Sequence, residues 1–249
     1  MTNKRLVFTV TPGRSGTGYL SEMLRLLPGV SAYHEPNPLF SNFLRATLKN
    51  TETGKNFLMN KKLPVIFKSH GNIYVETSHL FCKGFLEPLL ELGYIPDLII
   101  LKREHRKVAL SLYQLGTIPH ENTPWLLYPG DKGVLQIDDW KKLSDYQLCF
   151  WYCLEIERRA KEYSKLIKAK EGLVGEIFLE DIKDENKFQK FLSDMMFPTL
   201  KGDILIKYKN NRERKVNTKV NKKKTDINIP KNIEEQEKYV LDNIKEVND

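Results

Sequence analysis

Residues 5–27 leave the N-terminus of this chain little choice of structure. Leu6-Val7-Phe8-Thr9-Val10 is a short apolar run rich in β-branched residues and reads as a buried strand. It enters a turn containing Gly13, Gly16 and Gly18, and leaves through Tyr19-Leu20-Ser21-Glu22-Met23-Leu24-Arg25-Leu26-Leu27, whose apolar residues recur at helical spacing. A strand that passes into a helix through a glycine turn aims backbone N–H groups and a helix N-terminus at an anion. Arg14 adds a permanent positive charge that can bond two oxygens at once. The nucleotide motifs do not identify the anion. Gly13 and Gly18 have Walker A spacing, but Tyr19-Leu20 stands where Lys-Ser/Thr belongs, and no G-x-G-x-x-G is present.

The remaining chain alternates strand and helix. Strands are expected at 5–10, 30–35, 73–76, 98–102 and 173–179, with Ile66-Phe67 also β-like. Helices are expected at 17–27, 39–50, 79–92, 105–115, 140–170, 184–197 and 231–246. Residues 51–63 read as a Lys/Asn-rich loop. The stretch 116–138 is broken by Pro119, Pro124, Pro129, Gly130 and Gly133. This alternation predicts a three-layer α/β fold, a central parallel sheet with helices on both faces. In such folds ligands bind beyond the carboxyl ends of the strands. Arg14, Glu35, the segment 76–79 and Arg103 all follow strands, so they should converge on one rim. The expectation is a single domain over 1–249, with a core to about 200 and a basic flap and C-terminal helix over 201–249.

Composition narrows the class. Hydrophobic residues make up 41% of the 249, enough for a core, while no window approaches the ~18 apolar residues of a membrane span. Met-Thr-Asn-Lys-Arg runs straight into the first strand with no apolar leader, so a soluble, cytoplasmic protein is expected. Three cysteines, Cys82, Cys149 and Cys153, read as buried free thiols, and the five histidines lack metal-ligand spacing, so no metal is expected. The net charge is +8, and residues 207–224 hold nine Lys/Arg against Glu213, which equals that whole excess. A flap over a ligand, a nucleic-acid-binding tail and a solvated loop all fit such a run.

Two stretches together resemble one family. Thr11-Pro12-Gly13-Arg14-Ser15-Gly16-Thr17 is similar to the phosphosulfate-binding loop of sulfotransferases, Pro-Lys/Arg-Ser-Gly-Thr after the first strand, with one glycine inserted. Residues 98–116 end a strand at Lys102-Arg103 and place Ser111 eight residues later on a helix, as the family does for a 3′-phosphate. The resemblance covers about the first two hundred residues. It implies a P-loop-containing nucleoside triphosphate hydrolase-like fold and transfer of a sulfuryl group from 3′-phosphoadenosine 5′-phosphosulfate (PAPS) to a hydroxyl or amine. Gly13, Arg14, Ser15, Gly16, Thr17, Gly18 and Tyr19 would then hold the phosphosulfate, and Arg103 and Ser111 the 3′-phosphate. The basic run, through Arg212, Arg214 and Lys219, would close over the donor.

For the base, Glu35 in Tyr33-His34-Glu35-Pro36 resembles the Glu-Pro of carbohydrate sulfotransferases and is preferred. The alternatives are His79, in Thr77-Ser78-His79 where cytosolic relatives carry Lys-Thr-His, and His70 in Lys68-Ser69-His70. Arg14 cannot give up its proton and is expected to act as an electrostatic clamp. The acceptor would be a small molecule, glycan or glycolipid, walled by 36–50, by 116–138 with Trp125 and Tyr128, and by the helix bearing Trp151, Glu155 and Arg158. No nucleic-acid partner is expected. Two other readings stay open: a P-loop kinase for a small metabolite or nucleotide, and a non-catalytic nucleic-acid-binding protein using 207–224.

Overall fold

Strand β1 (Arg5–Val10) supplies core to both faces of a sheet. Leu6, Phe8 and Val10 pack into one hydrophobic cluster and Val7 into another, because successive side chains of a strand point to opposite sides. In a computed structural model describing residues 4–116, 118, 123–213 and 229–245, β1 lies at the centre of five strands. The others are β2 (Val30–Tyr33), β3 (Ile73–Glu76), β4 (Asp97–Lys102) and β5 (Val174–Phe178). Their order is β2-β3-β1-β4-β5, and every pairing is parallel. Such strands are buried on both sides, which is why 97–102 reads Asp-Leu-Ile-Ile-Leu-Lys rather than alternating polar and apolar.

Helix α1 (Thr17–Leu24) covers one face, joined there by α8 (Glu185–Asp194) and α9 (Gly202–Asn211). The other face carries the chain between β2 and β3, namely α2 (Leu44–Lys49), α3 (Thr51–Phe57) and α4 (Leu63–Lys68). It also carries α5 (Leu86–Glu91), α6 (His105–Tyr113), α7 (Asp145–Lys168) and α10 (Ile233–Asn243). Helix α7 begins in a capping box, Ser144 accepting from the Gln147 amide while Gln147 accepts from that of Ser144. The result is the expected α/β arrangement, with β1 and β4 neighbours where the order of the strands reverses. Among the described residues, no helix is long and apolar enough to cross a membrane. All three cysteines are buried and free.

Three local expectations are corrected. Residues 51–63 are helical: α3 runs into a π-helical turn, Leu58–Lys62, and then α4, which also absorbs the β-like Ile66-Phe67. Phe57, Leu58, Leu63 and Ile66 are all buried, a helical stripe that the dense Lys and Asn residues of the exposed face disguise. The first part of the basic run, 207–211, belongs to α9, pinned by buried Tyr208, whose hydroxyl donates to Ile182 O at 2.8 Å. The expected helix 79–92 is broken at Gly84 (φ 114) into a 3-10 turn, Phe81–Lys83, and α5.

Candidate functional site

The carboxyl ends of β1, β2, β3 and β4 bring Arg14, Glu35, His79 and Arg103 to one rim, as the alternation of elements requires. Arg14 (φ 55) and Gly16 (φ 88) are left-handed, and Gly16 is the N-cap of α1 with no side chain capping the helix. The first amides of α1 therefore open towards the turn as unfilled donors. Ser15 points its hydroxyl back to Gly13 O at 2.9 Å and Tyr19 donates to Arg212 O at 2.6 Å, so these two close the loop and dock α9. Pro12, Gly13, Arg14, Gly16 and Thr17 line a cavity of about 330 Å³.

Arg103 and Ser111 meet at Arg14 rather than at each other. Arg14 Nε donates to Ser111 Oγ at 3.0 Å, and Arg103 Nη1 donates to Arg14 O at 2.6 Å. Burial lowers the Arg14 pKa and the positive charge of the neighbouring Arg103 lowers it further. Arg103 Nε is buried with no hydrogen-bond partner among the described residues. A second cavity of about 310 Å³ adjoins it, lined by Thr11, Lys102, Arg103, His105, Ile156 and Phe178 among others.

Across the first cavity stand His34, Glu35 and His79. Glu35 Oε1 lies 3.3 Å from His79 Nε2. Glu35 (φ 47) adopts a left-handed backbone that few non-glycine residues take, which turns it out of β2 towards the rim. Below it, Lys62 donates to Pro36 O (3.1 Å), Pro38 O (3.0 Å) and Glu76 Oε1 (2.9 Å), while Tyr74 donates to Glu76 Oε2 at 2.7 Å. Lys62 and Glu76 are each about 1% exposed. Burial lowers the lysine and pushes the glutamate up to about 7, their attraction only partly offsetting it. This pair ties the turn after Glu35 to the carboxyl end of β3. His79 is placed from the same side: Thr9 donates to Ser78 O at 2.9 Å, and the His79 ring packs against Gly13, where a Cβ would lie 3.1 Å from its Cγ. Its Nδ1 is 2.9 Å from Nζ of the buried Lys83, and Trp125 stands edge-on to it with ring centroids 5.6 Å apart.

Of the residues expected at the site, Gly13, Arg14, Gly16, Thr17, Glu35 and His79 line one cavity, with Arg103 and Ser111 joined to Arg14. Gly18 is buried in the first turn of α1. His70 precedes β3, at the opposite end of the sheet from the rim, and its carbonyl accepts from Ser31. Arg212 is the C-cap of α9; Arg214 and Lys219 lie outside the described residues. Of the stretches expected to wall the site, 36–50 and Trp125 line the cavity, and the helix bearing Trp151 and Glu155 does not. Leu39, Ser41, Leu112, Leu115 and Trp125 line the cavity, whereas Trp151 is buried with Nε1 on Leu135 O, and Glu155 is buried between Arg158 and Arg159. Tyr128 instead packs against Trp140 and Arg45. Glu76 was expected on the rim with the segment 76–79, but its burial against Lys62 was not; Lys62 and Lys83 escaped the sequence reading, and a lysine amid buried-type residues, as in Phe81-Cys82-Lys83, is the one local signal they offer. Among the described residues, no cluster of three or more His, Cys, Asp or Glu is placed to hold a metal ion.

Neither a protein-family model nor a curated protein sequence matches the chain. Among solved structures it is similar to the sulfotransferase domain from the curacin biosynthetic pathway, with a TM-score of 0.53 over 84% of this chain and 79% of that one, at 12% identity. The chain shares the fold of a sulfotransferase domain.

Proposed function

We propose that this protein transfers a sulfuryl group from PAPS to a small hydroxyl- or amine-bearing acceptor. The observation that carries the reading is the facing of Glu35 and His79 across a cavity whose other wall is the Arg14 loop. The loop amides and Arg14 bind the 5′-phosphosulfate; Arg103 and Ser111 address the 3′-phosphate. The acceptor enters between Leu39, Leu112, Leu115 and Trp125. As its oxygen or nitrogen bonds to sulfur, its proton passes to the Glu35 carboxylate and the sulfur–oxygen bond to the 5′-phosphate breaks, releasing adenosine 3′,5′-bisphosphate (PAP). Charge that grows on the leaving phosphate is met by Arg14 and the N-terminus of α1, already oriented before the reaction. Arg14 stays protonated throughout, so it stabilises charge rather than moving protons.

Calorimetry with PAP, ATP and a short RNA tests this directly. PAP should bind the wild-type protein more tightly than ATP, and Arg103→Ala should abolish the preference. Tight ATP binding would favour the kinase reading, and RNA binding indifferent to Arg14 would favour a nucleic-acid role. Screening labelled PAPS against phenols, alcohols, sugars and amines then identifies the acceptor.

A further inference from the structure

We infer that Lys83 is a positioning residue that keeps His79 neutral, its Nδ1 an acceptor and its Nε2–H turned to Glu35, so that the carboxylate and not the imidazole receives the acceptor's proton. This rests on the reading of Glu35 and His79 as the pair that faces the acceptor.

The geometry is a chain of three groups. Glu35 Oε1 is 3.3 Å from His79 Nε2, and His79 Nδ1 is 2.9 Å from Lys83 Nζ. Lys83 follows His79 by four residues through the 3-10 turn, is fully buried, and also donates to the backbone oxygen of Trp125. Its Nζ lies 5.0 Å from the centre of the Tyr152 ring. Lys62, the other fully buried lysine near the site, is held by a carboxylate; among the described residues the contacts of Lys83 are a carbonyl, a ring nitrogen and aromatic faces. An ammonium has three donors and no lone pair. While Lys83 is an ammonium, below about pH 7, Nδ1 facing it can only accept, so the one proton of a neutral imidazole sits on Nε2 and points at Glu35. A second proton on His79 would have to go to Nδ1, where it would meet the ammonium head-on.

The surrounding charges act in the same sense. Burial lowers the His79 pKa well below its usual value, and the charges of Lys83 and His34 lower it further. Lys83 itself is pushed down to about 7, first by burial, with Arg45 and Arg159 also disfavouring its charge and Cys82 and Glu35 favouring it. The acid range in which an imidazole beside a carboxylate would take up a proton is therefore the range in which Lys83 is an ammonium. Removing Lys83 takes away one of the charges that oppose an imidazolium beside Glu35, while burial continues to oppose it.

The test is the ¹⁵N spectrum of the His79 ring as a function of pH, in full-length wild type, Lys83→Met and Lys83→Gln. Below about pH 7, where Lys83 is charged, wild type should show a protonated Nε2 and a bare Nδ1 down to acid pH. Lys83→Met should let His79 protonate at a pH higher by about one unit or more. Lys83→Gln, which keeps an N–H donor but no charge, should retain the wild-type tautomer and protonate in between. A wild-type ring protonated on Nδ1, or doubly protonated at neutral pH, overturns the inference whether or not the variants fold. So does an unchanged titration in folded Lys83→Met. PAP calorimetry on the same samples separates the two claims: absence of PAP binding removes the sulfuryl-transfer reading, while the His79 titration alone decides the role of Lys83.

Discussion

Ser111 Oγ accepts a 3.0 Å hydrogen bond from Nε of Arg14, 97 residues away in the chain. That bond, with the one from Arg103 to the carbonyl of Arg14, makes the glycine turn and the β4–α6 connection one positively charged ridge. Two guanidinium groups held this close repel one another, and an anion bound at the ridge relieves the repulsion.

Arg103→Ala should separate two nucleotides that differ only at the 3′ position. PAP should lose about 2–5 kcal/mol of binding, as expected when one partner of a charged contact is truncated, while 5′-AMP loses little. Calorimetry with both ligands measures it. Equal losses would take the 3′-phosphate away from Arg103.

Glu35→Gln keeps the size and polarity of the side chain but removes its capacity to accept a proton. Once an acceptor is known, turnover should fall by about 10²–10⁴ while PAP affinity holds. Arg14→Ala should damage both. A milder loss in Glu35→Gln than in His79→Ala would make the imidazole the base.

Gly16→Ala meets two obstacles. The residue sits at φ 88, and an added Cβ would fall 2.3 Å from Leu179 Cδ1, which would have to swing aside. The left-handed backbone alone costs about 1–2 kcal/mol for a residue with a Cβ. Denaturant unfolding should show at least that loss, and PAP binding should weaken as the first turn of α1 shifts. Wild-type stability together with wild-type PAP affinity would show that the glycine has no part in the loop.

Lys62→Met leaves Glu76 buried without its cation and frees the carbonyls of Pro36 and Pro38. Breaking a buried pair from one side costs about 3–5 kcal/mol. Lys62→Met combined with Glu76→Leu should recover most of that, because no buried charge remains. Chemical denaturation of both variants checks the order; a double variant no more stable than Lys62→Met would mean that the carbonyl contacts, not the charge pair, carry the effect.

Lys83 makes stability depend on pH with a definite sign. Its folded pKa is lowered to about 7, against roughly 10.4 for a free lysine. Between those values the unfolded chain binds more protons here, so this residue adds stability as pH rises through the window and loses it as pH falls through 7. Wild type should gain on Lys83→Met between pH 7 and 10, by up to about 1.4 kcal/mol per unit. A difference independent of pH would mean that the buried amine stays charged throughout.

Local sequence determined the skeleton of the protein. Strand β1, the glycine turn and α1 were legible because a run of Leu, Val, Phe and Thr, three glycines and a helical stripe each demand one conformation over a few residues. Strand β4 and Arg103 were legible for the same reason, and strand ends in an alternating chain can meet only at one rim. The helices over 51–68 were not, since their buried stripe is thin and the lysines facing solvent dominate the composition. Tertiary structure alone decided that Arg103 and Ser111 bond to Arg14, that Leu112 and Leu115 rather than Trp151 line the cavity beside the Arg14 loop, and that Lys83 lies against His79. Whether a lysine is a solvated charge or a buried donor depends on residues far along the chain that exclude water from it. That exclusion exists only once the sheet and its helices have closed.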